Sequence, residues 1–160
     1  GVMYWALTAF RLLPEFRRLE AEVQEHLKDE LSALLERWGG RGIALYSLVG
    51  FSGEADLLLF QQAEDPRAFP LLQKELHRTR MQGFLVPEGR FLDRGEGSPE
   101  GEALLLLPFG LEGEAEGLRV LRGEALALVE GPLERLFPLF LREGGYLGLK
   151  KAPREALDEL

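Results

Sequence analysis

The order of apolar and polar positions predicts strands and helices that alternate along the whole chain. Residues 43–49 and 55–60 form two almost continuous apolar runs, separated by the glycine-containing segment 50–54. This pattern is typical of an antiparallel hairpin. Because few polar positions interrupt either run, we expect both strands to lie in the middle of a sheet that helices cover.

Two helices and two further strands complete the first half of the pattern. Residues 3–13 and 84–92 are predicted as strands. After Pro14, apolar residues recur at steps of three and four up to Trp38, which indicates a helix of about 24 residues with one buried face. A second helix is predicted to begin at Asp65-Pro66. The resulting order, β-α-β-β-α-β, is that of a ferredoxin-like unit with an antiparallel sheet.

The second half repeats this order but lacks the first helix. After a predicted polar linker at 93–101, the sequence indicates strands at 102–108, 118–122, 125–130 and 146–150, and a short helix that starts at Pro132. The nine residues 109–117 contain three glycines and are too short for a helix like the one in the first half. We therefore predict an α+β fold in one domain, 1–160. In it, a ferredoxin-like unit at 1–92 and a shortened unit at 102–160 form a barrel-like structure.

Composition narrows the class of protein. A chain of 160 residues with 46% hydrophobic content can bury a sizeable core. The absence of cysteine excludes disulfides and thiolate metal sites. A net charge of −8 argues against nucleic acid and anionic membranes as partners. No apolar run has the pattern of a leader or the length of a membrane span, so we expect a cytoplasmic protein. The excess of arginine over lysine and the lack of asparagine resemble the composition of heat-adapted proteins.

Short motifs follow one another in a defined order through roughly the first ninety residues. They lie in the first strand, the hairpin and the end of the second helix: Tyr4-Trp5-Ala6-Leu7, Phe10-Arg11-Leu12, Tyr46, Val49-Gly50, Ala55-Asp56-Leu57-Leu58-Leu59, Leu76, Arg78-Thr79 and Phe84-Leu85. In this order they resemble the chlorite dismutase family, which includes the coproheme decarboxylases of bacterial haem synthesis. The resemblance implies a closed ring of subunits, usually five. It also implies haem or coproporphyrin-iron in the C-terminal unit, bound by a histidine on that unit's first helix.

The second half departs from the family where the resemblance places the haem. Residues 109–117 replace the helix, and both histidines, His26 and His77, lie in the first half. Among residues that can ligate haem iron, the second half offers only Tyr146. The two histidines form no H-x-x-x-H pair, so we predict no metal site. His77 is either a helix-face residue or a ligand, and Arg78 either binds a porphyrin propionate or neutralises its helix C-terminus.

Asp56 and Tyr46 are the remaining candidates for chemistry. A carboxylate in the predicted strand at 55–60 is disfavoured and costly to bury. Asp56 therefore either caps backbone groups or orients an arginine, or it acts as a general base with a raised pKa. Tyr46 lies in the partner strand and can face the same cavity if the register allows it.

Three functional hypotheses follow. The favoured one is a divergent, non-catalytic and oligomeric chlorite-dismutase-like protein without a cofactor, a homopentamer by resemblance. The second keeps haem or coproporphyrin through a substitute ligand such as Tyr146 and performs oxidoreductase or decarboxylase chemistry. The third is a small-molecule monooxygenase or binding protein that uses Asp56 and Tyr46 inside the barrel.

Overall fold

The computed structural model describes all 160 residues and contains one eight-stranded antiparallel sheet, curled into a nearly closed barrel. The strands are β1 (Val2–Leu12), β2 (Ile43–Ser47), β3 (Leu57–Ala63), β4 (Leu85–Glu96), β5 (Ala103–Leu107), β6 (Arg119–Arg122), β7 (Ala127–Gly131) and β8 (Tyr146–Lys151). The helices are α1 (Ala21–Gly39), α2 (Ala68–His77), α3 (Leu133–Glu143) and α4 (Pro153–Asp158), with 3₁₀ turns at Pro14–Arg18 and Arg80–Phe84. None of the helices combines the length and the apolar character that crossing a membrane requires.

The strand order is β4-β1-β3-β2-β8-β5-β7-β6. Each half of the chain therefore arranges its four strands in the same order, fourth-first-third-second, as in a ferredoxin-like unit. The halves join where β2 pairs with β8, with Tyr46 opposite Lys150. The predicted α+β fold of two ferredoxin-like units, the second without its first helix, is confirmed. The predicted hairpin is confirmed as well, since β2 and β3 pair antiparallel.

Three apolar clusters stabilise this arrangement. One fills the barrel interior and includes Trp5, Leu58 and Leu128. The other two lie outside the barrel, where α1, α2 and α4 pack on the first half of the sheet and α3 packs on the second half. Helices therefore cover the sheet from outside, and side chains fill it from within.

The first helix is broken where the sequence predicts a continuous one of about 24 residues. The chain makes a 3₁₀ turn over Pro14–Arg18, becomes extended at Leu19 and enters α1 only at Ala21. The side-chain amide of Gln24 donates hydrogen bonds to the backbone carbonyl oxygens of Arg17 and Leu19, at 3.3 and 2.8 Å. These bonds satisfy carbonyls that the break leaves without helical partners.

Three predicted strand boundaries were also wrong. The hairpin strands are shorter than expected at the turn, which spans residues 48–56. Conversely, β4 continues to Glu96 through part of the predicted linker. Gly95 permits this continuation, because a Cβ atom at this position would lie 2.4 Å from the indole ring of Trp5. Pro87 is tolerated because β4 is an edge strand with an irregular register opposite Ala9 and Phe10.

Candidate functional site

The family resemblance places a haem group in the second half, and the outer face of that half of the sheet shows whether the group would fit. In the first half, α1 covers the equivalent face. In the second half, Leu111 is 8% exposed and packs, together with Ala115, against the cluster that contains Leu136 and Leu139 of α3. The connection from β5 to β6 therefore lies on the apolar surface that a helix would otherwise cover.

The polar groups of this connection also suit haem poorly. Arg122 donates hydrogen bonds to the carbonyl oxygens of Leu111 and Gly113, which holds the segment against the barrel. Three exposed glutamates lie along it, Glu112, Glu114 and Glu116. Carboxylates at this position repel porphyrin propionates, and residues 102–160 contain no histidine. This face does not fit a haem held in the way that the resemblance implies.

Tyr146, the candidate substitute ligand, begins β8 and packs on the opposite, inner face of the sheet. Its ring lies 5.7 Å from that of Phe91 and against the barrel-interior cluster. Burial, and then the charges of Glu54 and Glu88, raise the pKa of the Tyr146 hydroxyl. A raised pKa disfavours the phenolate form that would bind a metal ion.

Tyr46 lies inside the barrel and is fully buried. Its hydroxyl has no hydrogen-bond partner, and burial, followed by the charge of Glu130, raises its pKa. A Cβ atom at Gly148 would lie 2.8 Å from the Cβ atom of Tyr46, so the neighbouring strand passes close to this side chain. A neutral hydroxyl enclosed by the apolar cluster is the state that these surroundings favour.

Asp56 occupies a different environment, directly before β3. Its carboxylate accepts the backbone N–H of Leu12 at 2.8 Å. Its own N–H donates to the carbonyl oxygen of Phe10 at 2.8 Å, and its carbonyl oxygen accepts the N–H of Leu48 at 2.9 Å. This is the geometry of the backbone-capping alternative, and no hydrogen bond joins Asp56 to Tyr46.

The remaining candidates lie at the end of α2 and on α1. His77 and Arg78 are exposed, and Arg78 forms no ion pair. His77 borders a small cavity of the first half, between helices and sheet. His26 is exposed on α1. All three therefore belong to the first half, and the structure does not bring them to Tyr146.

A cleft between the β2–β3 turn and the second half was not anticipated from the sequence. It has a volume of about 660 Å³, and its lining includes the aromatic residues Phe51, Phe109, Phe140 and Tyr146 and the acidic residues Glu54 and Glu143. We call it the aromatic cleft. Phe109, in the turn after β5, is 99% exposed. One feature of the sequence could have indicated this exposure. Phe109 lies between Pro108 and Gly110, in a segment too short to bury its ring.

The surface of α3 beside the aromatic cleft is also apolar. Phe137 is 40% exposed and Leu141 is 69% exposed. The ring of Phe137 lies 6.3 Å from the rings of both Phe51 and Phe140. An apolar surface thus continues from the cleft onto the outer side of α3.

Comparison with known proteins bears on the fold. An arginine variant of the chlorite dismutase from Candidatus Nitrospira defluvii superimposes with a TM-score of 0.79 at 16% identity, covering 98% of this chain and 94% of that one. A Trp-to-Phe variant of the same enzyme, in complex with cyanide, superimposes with a TM-score of 0.78 at 15% identity and the same coverage. TA0507, a presumed chlorite dismutase, superimposes with a TM-score of 0.77 at 11% identity, covering 100% of this chain and 99% of that one. No protein-family model and no curated protein matches the sequence. The chain therefore has the fold of the chlorite dismutases.

Proposed function

We propose that this chain is a divergent member of the chlorite dismutase family that has lost the haem site of its second unit. In this proposal it works without catalysis, by assembling with further copies of itself. The observation that carries the proposal is the packing of Leu111 on the outer face of the second half, where the first half has α1. A haem group would have to displace this segment and would find no histidine beyond it.

The competing hypothesis is a haem- or coproporphyrin-dependent oxidoreductase or decarboxylase with a substitute ligand. Its ligand would be Tyr146 or a residue from a neighbouring subunit, and two features argue against Tyr146. The side chain is on the inner face of the sheet, and its hydroxyl has a raised pKa. A stoichiometric shift of the haem Soret band that disappears in Tyr146→Phe would favour this hypothesis over ours.

Assembly is supported by the apolar surface of the second half. The exposed side chains of Phe109 and Leu141 are large, and burying one such side chain contributes about 2 kcal/mol. Phe109 lines the aromatic cleft, so burying Phe109 against another copy would also cover the cleft. We infer that Phe109 and Leu141 are buried against the next copy, in a ring of five copies by family resemblance. The net charge of −8 opposes association, so added salt should strengthen it.

Sedimentation velocity tests the assembly. We expect the unmodified protein to sediment as an oligomer and Phe109→Ser to shift toward the monomer at equal concentration. Leu92→Ser is the matched control, since Leu92 is 63% exposed on β4, outside the aromatic cleft. A monomeric parent protein, or equal sedimentation of parent and Phe109→Ser, would rule out this interface.

A further inference from the structure

The first half contains a cavity of about 50 Å³ between its helices and the outer face of the sheet. Leu57 and Leu59 of β3 form its floor, and Leu31 and Leu35 of α1 form one wall. These four side chains are at most 4% exposed. The deep part of the cavity is therefore apolar and shielded from water.

The other end of the cavity is polar and near solvent. Gln73 and His77 of α2, together with Gln82 of the following 3₁₀ turn, line it there. None of these three side chains makes a hydrogen bond within the protein. The hydroxyl of Thr79 donates to the carbonyl oxygen of Leu76 at 2.7 Å, which leaves the Thr79 oxygen free to accept. Donors and acceptors without protein partners thus meet at one end of an apolar space.

The lining contains no lysine, arginine, aspartate or glutamate. A charged ligand group would therefore find no ammonium, guanidinium or carboxylate partner, which is unfavourable. Size sets a second limit, because an apolar cavity of about 150 Å³ is known to hold benzene. A cavity one third as large admits a short alkyl group but no aromatic ring.

From this geometry, we propose that the cavity binds a small uncharged amphiphile. Its alkyl part, of about two to four carbons, lies between α1 and β3. Its hydroxyl or amide group hydrogen-bonds to Gln73, Gln82 or His77. This site is in the first half and is independent of the assembly proposed for the aromatic cleft.

Binding can be followed by ¹H–¹⁵N NMR with two probes, n-butyramide and xenon. The amide probe should cause saturable shifts at Gln73, Gln82 and Leu59. Gln73→Ala and Gln82→Ala should each weaken its binding about three- to tenfold, the loss expected for one hydrogen bond. Xenon forms no hydrogen bonds and should bind these variants like the parent protein.

Filling the cavity provides the second arm of the experiment. Leu35→Phe should abolish the binding of both probes, and Leu76→Phe, at a lining residue nearer the surface, is the alternative if Leu35→Phe does not fold. Leu71→Phe is the control, since Leu71 is 48% exposed on α2 and does not line the cavity. Saturable binding of xenon alone would overturn the proposal by showing only a dry void. Shifts that do not saturate, or that persist in the filled variants, would overturn it equally.

Discussion

The carboxylate of Asp93 accepts the backbone N–H of Leu126 at 2.9 Å and thereby links the two ends of the eight-stranded sheet. Asp93 lies on β4, the last strand at one edge, and also accepts the N–H groups of Glu124 and Ala125 at 2.8 and 2.9 Å. These residues form the turn between β6 and β7. Gly123 lets the turn come this close, because a Cβ atom there would lie 2.3 Å from a carboxylate oxygen of Asp93.

We expect Asp93→Asn to lower the free energy of unfolding by about 1–2 kcal/mol, because an amide group would place its own N–H donors against those of the turn. Denaturant unfolding measures the change. Asp65→Asn is the control, since the Asp65 carboxylate contacts only Arg67 in its own exposed turn. Equal stability of Asp93→Asn and the parent protein would show that the sheet closes without this contact.

The same contact predicts a dependence of stability on pH. Partial burial alone raises the pKa of Asp93, but hydrogen bonds from the N–H groups of Leu126, Ala125, Arg94 and Glu124 outweigh burial and lower it below the ordinary value of 3.8. Above pH 3.8 the ionised carboxylate contributes its full stabilisation, which is lost as the pH falls through the lowered pKa. The stability difference between the parent and Asp93→Asn should therefore be constant near neutral pH and shrink in acid. A difference that grows in acid would contradict this sign.

Gly95→Ala should destabilise the protein by about 1–3 kcal/mol through overpacking. The added methyl group would clash with the ring of Trp5, which is fully buried. Thermal unfolding is the measurement, and a shift in tryptophan fluorescence should accompany it. Gly53→Ala is the control, because a Cβ atom there meets nothing within 4 Å. Unchanged stability of Gly95→Ala would mean that β4 follows a different path past Trp5.

These contacts also explain how far sequence reasoning reached. Apolar runs and helical periodicity predicted the order of strands and helices along the chain and the missing helix, because these are local patterns in the sequence. The break before Ala21 was missed because the 3.6-residue apolar period continues across it. The side-chain amide of Gln24, which bonds to the carbonyl oxygen of Leu19 at the break, has no distinct signal in the sequence. The extension of β4 past Leu92 was missed because it depends on Trp5, about ninety residues away.

The candidate site was less predictable than the fold. Tyr46 and Asp56 were chosen as a polar pair on facing strands, but a single hydrogen bond to Leu12 turns the Asp56 carboxylate toward the end of β1. The aromatic cleft escaped prediction because it combines loops distant in sequence, those of Phe51 and Phe109. Residue type alone does not indicate that Phe109 is left exposed.

Tyr46→Phe should leave the free energy of unfolding unchanged or raise it by up to about 1 kcal/mol, because it removes a buried hydroxyl that has no partner. Denaturant unfolding in parallel with Tyr146→Phe, at the partly exposed rim, provides the comparison. Destabilisation of Tyr46→Phe by more than about 1 kcal/mol would mean that a bound molecule satisfies this hydroxyl in solution.

Titration of the purified protein with haem and with iron-coproporphyrin, followed by absorbance at the Soret band, tests most directly whether the second unit has lost its porphyrin site. We predict no saturable, stoichiometric shift with either porphyrin, because Leu111 and the acidic segment occupy the face where the group would lie. One porphyrin bound per chain, with a sharpened and shifted Soret band that Tyr146→Phe abolishes, would contradict the account.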